Sequence, residues 1–187
     1  RTGGTKIKDL NNDGQITALD QTITGDPNPD YIFGIFTDLN YKKFDFSVFV
    51  SGSQGNDIYN ISRNTYENPL GQRNNLGGVR DRWSPTNPSN DFVSGFQGGR
   101  LPITNRFIED GSFVRFKNIT LGYKLPLPKG FSNARIYISA NNLFTITKYS
   151  GYDPEVNSFG NSNTQIGIDN LVYPAAKSFI AGLQIIL

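Results

Sequence analysis

The sequence contains no cysteine and no histidine among its 187 residues. Without cysteine, disulfide scaffolds, cysteine nucleophiles and iron–sulfur sites are excluded. Without histidine as well, almost every zinc or copper site and every histidine-based catalytic triad is excluded too. The adjacent carboxylates Glu109 and Asp110 point apart on a strand, which makes them a poor acid and base pair. The sequence offers no group of residues that would form a catalytic site, and we do not expect an enzyme.

Charge and hydropathy exclude two more classes of protein. The 18 basic and 16 acidic residues leave a net charge of +2, which gives no reason to expect a nucleic-acid partner. No apolar run approaches the length of about 18 residues that a transmembrane helix needs, and residues 1–4 do not form a signal peptide. Glycine (20 residues), proline (10) and aromatic side chains (13%) are abundant instead, and they indicate a loop-rich β protein.

Alternating apolar and polar residues predict five strands, each with one apolar face. The predicted strands span about residues 31–41, 44–52, 113–125, 133–144 and 178–187. Within the third of them the phase changes, because Val114 and Phe116 do not share the face of Ile119 and Leu121. The sequence therefore predicts a β-bulge near Lys117 or a change of environment there.

The connections between these strands alternate strictly between short and long. Lys42 and Lys43 separate the first two strands and residues 126–132 separate the third and fourth, whereas 53–112 and 145–177 are long loops. Transmembrane β-barrels have short periplasmic turns and long extracellular loops, and their strands cross the bilayer in about 9–11 residues. Aromatic residues near strand ends suit the girdles at the membrane interfaces: Tyr31, Tyr41, Phe44, Tyr123, Phe144 and Phe179.

Five strands are too few to close a barrel, which needs about eight, and lipid does not tolerate open strand edges. We therefore expect an all-β fold in which the chain forms the C-terminal five strands of a large transmembrane β-barrel with long extracellular loops. Periodicity alone leaves one alternative open, a soluble β-sandwich that binds carbohydrate. In that alternative Trp83 and its neighbours stack on sugars, although a packed surface loop accounts for the same segment.

Residues 9–20 match the pattern of a calcium-binding loop. Side-chain oxygens of Asp9, Asn11, Asp13, Thr17 and Asp20 and the backbone carbonyl of Gln15 fall at the ligand positions. Gly14 stands where such loops need a sharp turn. The sequence predicts a structural Ca²⁺ that fixes the long segment 1–30, and the alternative is a turn of Asn, Asp and Gly that binds nothing.

Five separated blocks of the sequence carry a resemblance to a known family. The blocks are residues 9–14 with 25–31, 44–47 with 52–60, 82–88, 108–123, and 141–145 with 147–155. In these blocks, and in their order, the chain resembles the C-terminal part of the SusC/RagA-like TonB-dependent outer-membrane transporters. The resemblance covers nearly the whole chain.

The resemblance implies both a fold and a function. It implies a barrel of about 22 strands with an internal plug, embedded in the lipid of the bacterial outer membrane. It also implies import of glycans or peptides together with a SusD-like surface lipoprotein, with energy from TonB, which contacts the missing N-terminal part. The C-terminus is then periplasmic, and residues 1–30, 53–112 and 145–177 lie outside. The competing function is that of the soluble carbohydrate-binding module with a structural calcium site.

Overall fold

The computed structural model describes residues 3–70, 73–95, 101–126, 133–156, 158–160, 162 and 164–186. The strands in these residues are β1 (Tyr31–Tyr41), β2 (Phe44–Gln54), β3 (Asp57–Asn60), β4 (Ile108–Asp110), β5 (Phe113–Lys124), β6 (Asn133–Thr147), β7 (Ile168–Asp169) and β8 (Ser178–Ile186). The five long strands form one sheet in the order β1-β2-β5-β6-β8, and every neighbouring pair is antiparallel. The long strands therefore follow one another around the sheet as an up-and-down meander.

The five strands that alternation predicts are all present, and their ends differ slightly from the prediction. β2 continues to Gln54 and β6 continues to Thr147, because backbone pairing persists beyond the last alternating apolar residue: Gln54 pairs with Tyr31, and Thr147 pairs with Phe113. β5 ends at Lys124, one residue before the predicted end. Of the predicted turn 126–132, residues 127–132 lie outside the described residues, as does Leu187 at the predicted end of the last strand.

The predicted bulge at Lys117 is confirmed. Phe49 pairs with Asn118 and Val50 pairs with Phe116, so the ladder between β2 and β5 skips Lys117. Since side chains alternate along a strand, one unpaired residue reverses the phase. The bulge thereby turns Val114 and Phe116 onto the same face as Ile119, which explains the break in the sequence pattern.

The two faces of the five-stranded sheet differ sharply in polarity. Cross-strand pairing places an almost continuous apolar set on one face, here the apolar face: Tyr31, Phe33, Ile35, Leu39, Tyr41, Phe44, Phe46, Val48, Val50, Val114, Phe116, Ile119, Leu121, Tyr123, Ala134, Ile136, Ile138, Ala140, Phe144, Ile146, Phe179, Ala181, Leu183 and Ile185. The opposite face, here the polar face, holds most of the charged and amide side chains: Asp38, Asn40, Asp45, Arg115, Asn118, Lys124, Asn133, Arg135, Asn141 and Gln184.

In their described residues, the long loops 53–112 and 145–177 hold short elements that the sequence pattern did not predict. They contain helix α1 (Ile61–Glu67) and a small sheet in which β3 pairs antiparallel with β4 and parallel with β7. Ile58 and Phe107, which are 0% and 2% exposed, form part of a core in these connections. The strands of the small sheet have only two to four residues, too short for the second layer of a sandwich.

Among the described residues, no helix is both long enough and apolar enough to cross a membrane.

Candidate functional site

The apolar face exposes large side chains to its surroundings. Ile138 is 60% exposed, Leu183 is 59% exposed and Phe179 is 75% exposed. Aromatic rings concentrate toward the strand ends: the Phe44 and Tyr123 ring centroids lie 4.8 Å apart at one end, and the Tyr31 and Phe33 centroids lie 6.5 Å apart at the other. An apolar band bounded by aromatic residues is the outer surface of a membrane-spanning barrel.

The polar face carries a ladder of uncharged side chains across β5, β6 and β8. Asn118 donates to Ser139 at 3.1 Å and to Asn141 at 2.8 Å. The Thr120 and Ser139 hydroxyls lie 2.8 Å apart, and Asn141 donates to Ser178 at 3.0 Å. These hydrogen bonds join three strands side by side and leave a polar surface, which suits the water-filled interior of a large barrel.

One ion pair crosses the polar face near the end where β1 turns into β2. The Arg135 guanidinium donates from Nε and Nη2 to the two carboxylate oxygens of Asp45. Gly122 lies between them on β5, and a Cβ at this position would overlap both the Asp45 carboxylate and Arg135 Nε. The glycine therefore lets a bidentate pair span from β2 to β6.

At the opposite end of β5, Arg115 fixes the connection between β6 and β8 to the sheet. Arg115 is 3% exposed and is bound by Asp153 through Nη2, by Glu155 through Nη1 at 2.8 Å and by Thr145 through Nε at 2.9 Å. Asp153 also accepts the backbone N–H of Ala175 at 2.9 Å. Burial raises the pKa of Asp153, but the hydrogen bonds from Arg115, Ala175 and Glu155 outweigh burial and hold that pKa below its ordinary value.

A second charged cluster joins α1 to the two long connections. Arg63 contacts Glu67 at 2.6 Å and Glu109 at 3.1 Å, and Arg106 contacts Glu67 at 2.8 Å. Glu109 also accepts the Ser150 backbone N–H and the Ser150 hydroxyl, both at 2.9 Å. Burial raises the pKa of Glu109, but the hydrogen bonds from Ser150 and the Arg63 guanidinium lower it by more. The pKa of Glu109 therefore lies below its ordinary value. The Glu109 carboxylate is thus paired with Arg63 and Ser150 of the same chain.

Tyr149 and Asp169 form a buried pair beside this cluster. The Tyr149 hydroxyl donates to the Asp169 carboxylate at 2.5 Å, and the two residues are 6% and 2% exposed. Burial and the neighbouring Asp169 carboxylate raise the pKa of the Tyr149 hydroxyl. The pair ties β7 to the segment that follows β6. Because β7 in turn pairs with β3, the two long connections share one folded unit.

The calcium-type loop is tightly turned, and its carboxylates bind backbone N–H groups. Asp9 accepts from Asn12 at 2.7 Å and from Gly14 at 2.8 Å, and Gly14 has φ +81°. The other predicted ligands follow the same pattern, with Asn11 accepting from Asp13, Asp13 from Gln15, Thr17 from Leu19, and Asp20 from Leu10 and Thr17. The backbone N–H of Thr17, followed by that of Leu10, holds the pKa of Asp20 below its ordinary value.

The structure thus brings the predicted ligands into one loop. It does not gather three or more carboxylates around a common point anywhere in the described residues. The donors are all oxygen atoms, the ligand type that calcium prefers. Calcium binding therefore stays a prediction.

A cleft of about 1180 Å³ lies between the N-terminal segment and a wall formed by Trp83, residues 89–93 and residues 102–106. Trp83 lies at its edge, and the indole ring packs on Gly3, where a Cβ would come within 2.8 Å of the ring. Ser94 N–H donates to the Gly3 carbonyl at 2.8 Å and holds the two segments together. This packing favours the packed surface loop over a sugar-stacking role for Trp83.

The sheet, its apolar outer face and its polar inner face define the chain as part of the wall of a large membrane β-barrel. No family model matches the chain. It is 40% identical over 190 residues to TonB-dependent receptor P3 of Formosa agariphila, covering 97% of this chain and 19% of that protein. It is 34% identical over 185 residues to TonB-dependent receptor SusC of Bacteroides thetaiotaomicron, covering 95% of this chain and 17% of that protein.

Solved structures agree with these sequence comparisons. The RagAB peptide importer in its open-open state matches with a TM-score of 0.76 and 27% identity, covering 92% of this chain and 19% of the matched chain. The chain belongs to the SusC/RagA-like TonB-dependent receptors and corresponds to a C-terminal part of such a barrel. It spans about a fifth of the length of these relatives. The β-sandwich alternative is therefore wrong. The relatives are named as TonB-dependent receptors and the solved structure as a peptide importer, and none of these names is that of an enzyme.

The sequence pattern did not single out the charged clusters around Arg115 and Glu109. Their members are far apart in sequence: Arg115 and Asp153 are 38 residues apart, and Arg63 and Glu109 are 46 residues apart. One signal was available, because Glu109, Arg115 and Asp153 all fall within the blocks that carry the family resemblance. A charged residue at the end of a strand, next to a long loop, is a candidate for holding that loop to the sheet.

Proposed function

We propose that the whole protein is an outer-membrane transporter that imports glycans or peptides with energy from TonB, together with a SusD-like surface lipoprotein. The observation that carries the proposal is the match of nearly the whole chain to TonB-dependent receptors, SusC among them. The RagAB peptide importer supports a peptide substrate, and the SusC relative supports the wider family assignment. Contact with TonB belongs to the part of the protein that lies outside this chain.

In this proposal the C-terminus faces the periplasm and the folded connections face outward. Two features support that orientation. The turn between β1 and β2 consists of Lys42 and Lys43, with φ +55° at Lys42, and short turns lie on the periplasmic side of such barrels. The long connections 1–30, 53–112 and 145–177 reach the opposite end of the strands, where extracellular loops belong.

Within the transporter, this chain forms part of the barrel wall and part of the barrel rim. The apolar face contacts lipid, and the polar face contributes to the interior through which substrate passes. The clusters around Arg115 and Glu109 hold the outer connections in one conformation, so these connections act as a fixed rim beneath the lipoprotein while movement occurs elsewhere in the protein.

Uptake by the full-length protein tests the transport proposal. Cells with and without the intact gene are compared for uptake of labelled oligopeptides and labelled oligosaccharides, with and without functional TonB. We expect gene-dependent and TonB-dependent uptake of one of the two classes, and co-purification of a surface lipoprotein. Uptake that does not depend on the gene or on TonB would contradict the proposal.

Cysteine labelling tests the orientation independently of the substrate. The exposed residues Lys42 and Thr86 are replaced singly, as Lys42→Cys and Thr86→Cys, in the full-length protein. A maleimide that does not cross the outer membrane should label the Thr86→Cys variant on intact cells and should label the Lys42→Cys variant only after lysis. The reverse pattern would overturn the orientation.

We also propose that the loop 9–20 binds a structural Ca²⁺. The oxygen donors of Asp9, Asn11, Asp13, Thr17 and Asp20, together with the carbonyl of Gln15, support this proposal, as does the turn at Gly14.

Hydrogen exchange of the full-length protein, measured with calcium and with a chelator, tests calcium binding. Calcium should protect residues 9–20, and the combined Asp9→Ala and Asp13→Ala substitutions should abolish that protection, whereas Asp81→Ala, at an exposed site outside the loop, should not. Equal protection with calcium and with chelator would contradict calcium binding.

A further inference from the structure

The turn between β1 and β2 places a lysine ammonium group on the lipid-facing side of the sheet. Lys42 Nζ lies 5.3 Å from the centroid of the Tyr41 ring, which is a cation–π contact. The Tyr41 side chain belongs to the apolar face, where it pairs across the turn with Phe44. The Lys42 ammonium group therefore lies beside the apolar face and not over the polar face.

The backbone at Lys42 adopts a conformation that lysine seldom takes. Its φ of +55° lies in the left-handed region, which two-residue hairpin turns usually fill with Gly, Asn or Asp. A side chain with a Cβ is disfavoured there relative to glycine. A charged residue held in a disfavoured conformation points to a use for the charge itself.

A row of aromatic side chains fixes the depth of this lysine in the membrane. Tyr41 pairs with Phe44, and Phe44 pairs with Tyr123, so the three rings cross three strands side by side on the apolar face. Tyr41 is 69% exposed and Phe44 is 51% exposed. Aromatic girdles of this kind lie at the level of the lipid headgroups. Lys42 follows this row by one residue and is therefore level with the headgroups.

The protein supplies no counter-ion to this turn on the lipid-facing side. Among the residues that the structure describes, neither Lys42 nor Lys43 forms an ion pair with a carboxylate. Asp38 and Asp45 are the only acidic residues in the five long strands, and both lie on the polar face. Asp45 is already bound by Arg135. The negative charge that balances the turn must therefore come from outside the described chain.

We propose that Lys42, together with the Tyr41 and Tyr123 rings, binds the headgroup of an anionic phospholipid in the periplasmic leaflet of the outer membrane. Lys43 adds a second positive charge at the same turn. A zwitterionic headgroup carries its own ammonium group, which offsets the attraction, so the site prefers a headgroup with net negative charge. A basic residue near an anionic membrane surface strengthens binding about fivefold. The choice of leaflet rests on the orientation proposed above.

Photolabelling of the full-length protein in lipid nanodiscs tests this inference. The nanodiscs consist of phosphatidylcholine with a small fraction of photoactivatable phosphatidylglycerol or photoactivatable phosphatidylethanolamine, each with a diazirine next to the headgroup. Mass spectrometry then measures the lipid attached to residues 41–44. The variants are Lys42→Gln, Lys42→Arg and, as the matched control, Lys124→Gln. Lys124 lies at the same end of the sheet but on the polar face, opposite Arg135. A difference in gel mobility between heated and unheated samples establishes that each variant is folded.

Phosphatidylglycerol should label residues 41–44 more strongly than phosphatidylethanolamine. The Lys42→Gln variant should reduce labelling by phosphatidylglycerol about fivefold, whereas Lys42→Arg and Lys124→Gln should leave it unchanged. Equal labelling by the two lipids would overturn the inference, and so would equal losses in Lys42→Gln and Lys124→Gln or a loss in Lys42→Arg. Both leaflets of the nanodisc have the same composition and no transport is measured, so failure here is distinguishable from failure of the proposed function.

Discussion

Arg115 holds the connection between β6 and β8 to the sheet through three side-chain partners. Its guanidinium is buried with Asp153 and also contacts Glu155 and Thr145, so its removal would leave a buried carboxylate without its cation. Removing one partner of a buried pair costs about 3–5 kcal/mol. We therefore expect Arg115→Met to unfold the segment 148–175 locally in the full-length protein, as seen by faster hydrogen exchange there.

The matched control for this prediction is Lys117→Met. Lys117 contacts Glu155 at 2.7 Å, but the two side chains are 34% and 36% exposed. Pairs with this degree of exposure contribute about 0–1 kcal/mol. Exchange in 148–175 should therefore stay close to that of the unchanged protein, and equal acceleration in both variants would show that burial of Arg115 is not the cause.

The carboxylates of Asp153 and Glu109 make the stability of the long connections depend on pH. Their pKa values are lowered in the folded protein, after the opposing effect of burial is overcome by hydrogen bonds. Ordinary values are about 3.9 for Asp and about 4.3 for Glu. Stability from these groups is fully present above the ordinary pKa and is lost as the pH falls through the lowered folded pKa.

Protection of 148–175 against protease should therefore be constant from about pH 7 to about pH 5 and should fall below about pH 4. The measurement is limited digestion of the full-length protein by an acid-active protease and, at higher pH, by a neutral one. The variant Asp153→Asn should lose part of this dependence on pH. A loss of protection that is already complete at about pH 5 would contradict the assignment to these carboxylates.

At the scale of the secondary-structure elements, the long strands were predictable and the short elements were not. Each long strand separates lipid from interior, so its side chains must alternate, and alternation is readable in one sequence. The phase change at Lys117 was readable for the same reason. β3, β4 and β7 have two to four residues and α1 has seven, too few to show a period. Several partners that stabilise them are distant in sequence, 41 residues for Glu109 with Ser150 and 39 residues for Glu67 with Arg106.

Aromatic rings over glycines are a recurring device in the strands. The Phe33 ring lies on Gly52, the Phe49 ring on Gly34 and the Tyr137 ring on Gly182, each across a neighbouring strand. A glycine in a strand loses side-chain packing, and a ring on its exposed backbone restores apolar contact. The device helps to fix the register of adjacent strands, because a slip by one residue would replace each glycine under its ring with a side chain.

In β5, substitution of Gly122 tests whether the strand needs a residue without a side chain at this position. A methyl group there would displace Asp45 or Arg135 from their bidentate pairing. Overpacking of this kind costs about 1–3 kcal/mol. We expect Gly122→Ala to lower the temperature at which the full-length barrel unfolds on a heated gel. Gly77→Ala is the control, because a Cβ at Gly77 meets no atom within 4 Å. Equal unfolding temperatures for Gly122→Ala and the unchanged protein would contradict the role of Gly122.

At the scale of the whole molecule, the distribution of buried residues is the reverse of that in a water-soluble β domain. The fully buried side chains Phe107, Ile58 and Asn60 lie in or beside the small sheet and α1, whereas the large sheet exposes apolar residues. The connections can therefore keep a core of their own, but the large sheet is stable only where lipid covers one face and further strands continue its edges.

This distribution predicts the behaviour of the 187-residue chain when it is produced alone. In water without detergent, the apolar face and the free edges of β1 and β8 should drive aggregation, because a long, uncovered apolar edge strand pairs with other chains. Sedimentation and circular dichroism, in buffer and in detergent micelles, provide the measurement. We expect sedimenting material in buffer and dispersed, β-rich material in detergent. A soluble, folded monomer in plain buffer would contradict the assignment of the apolar face to lipid.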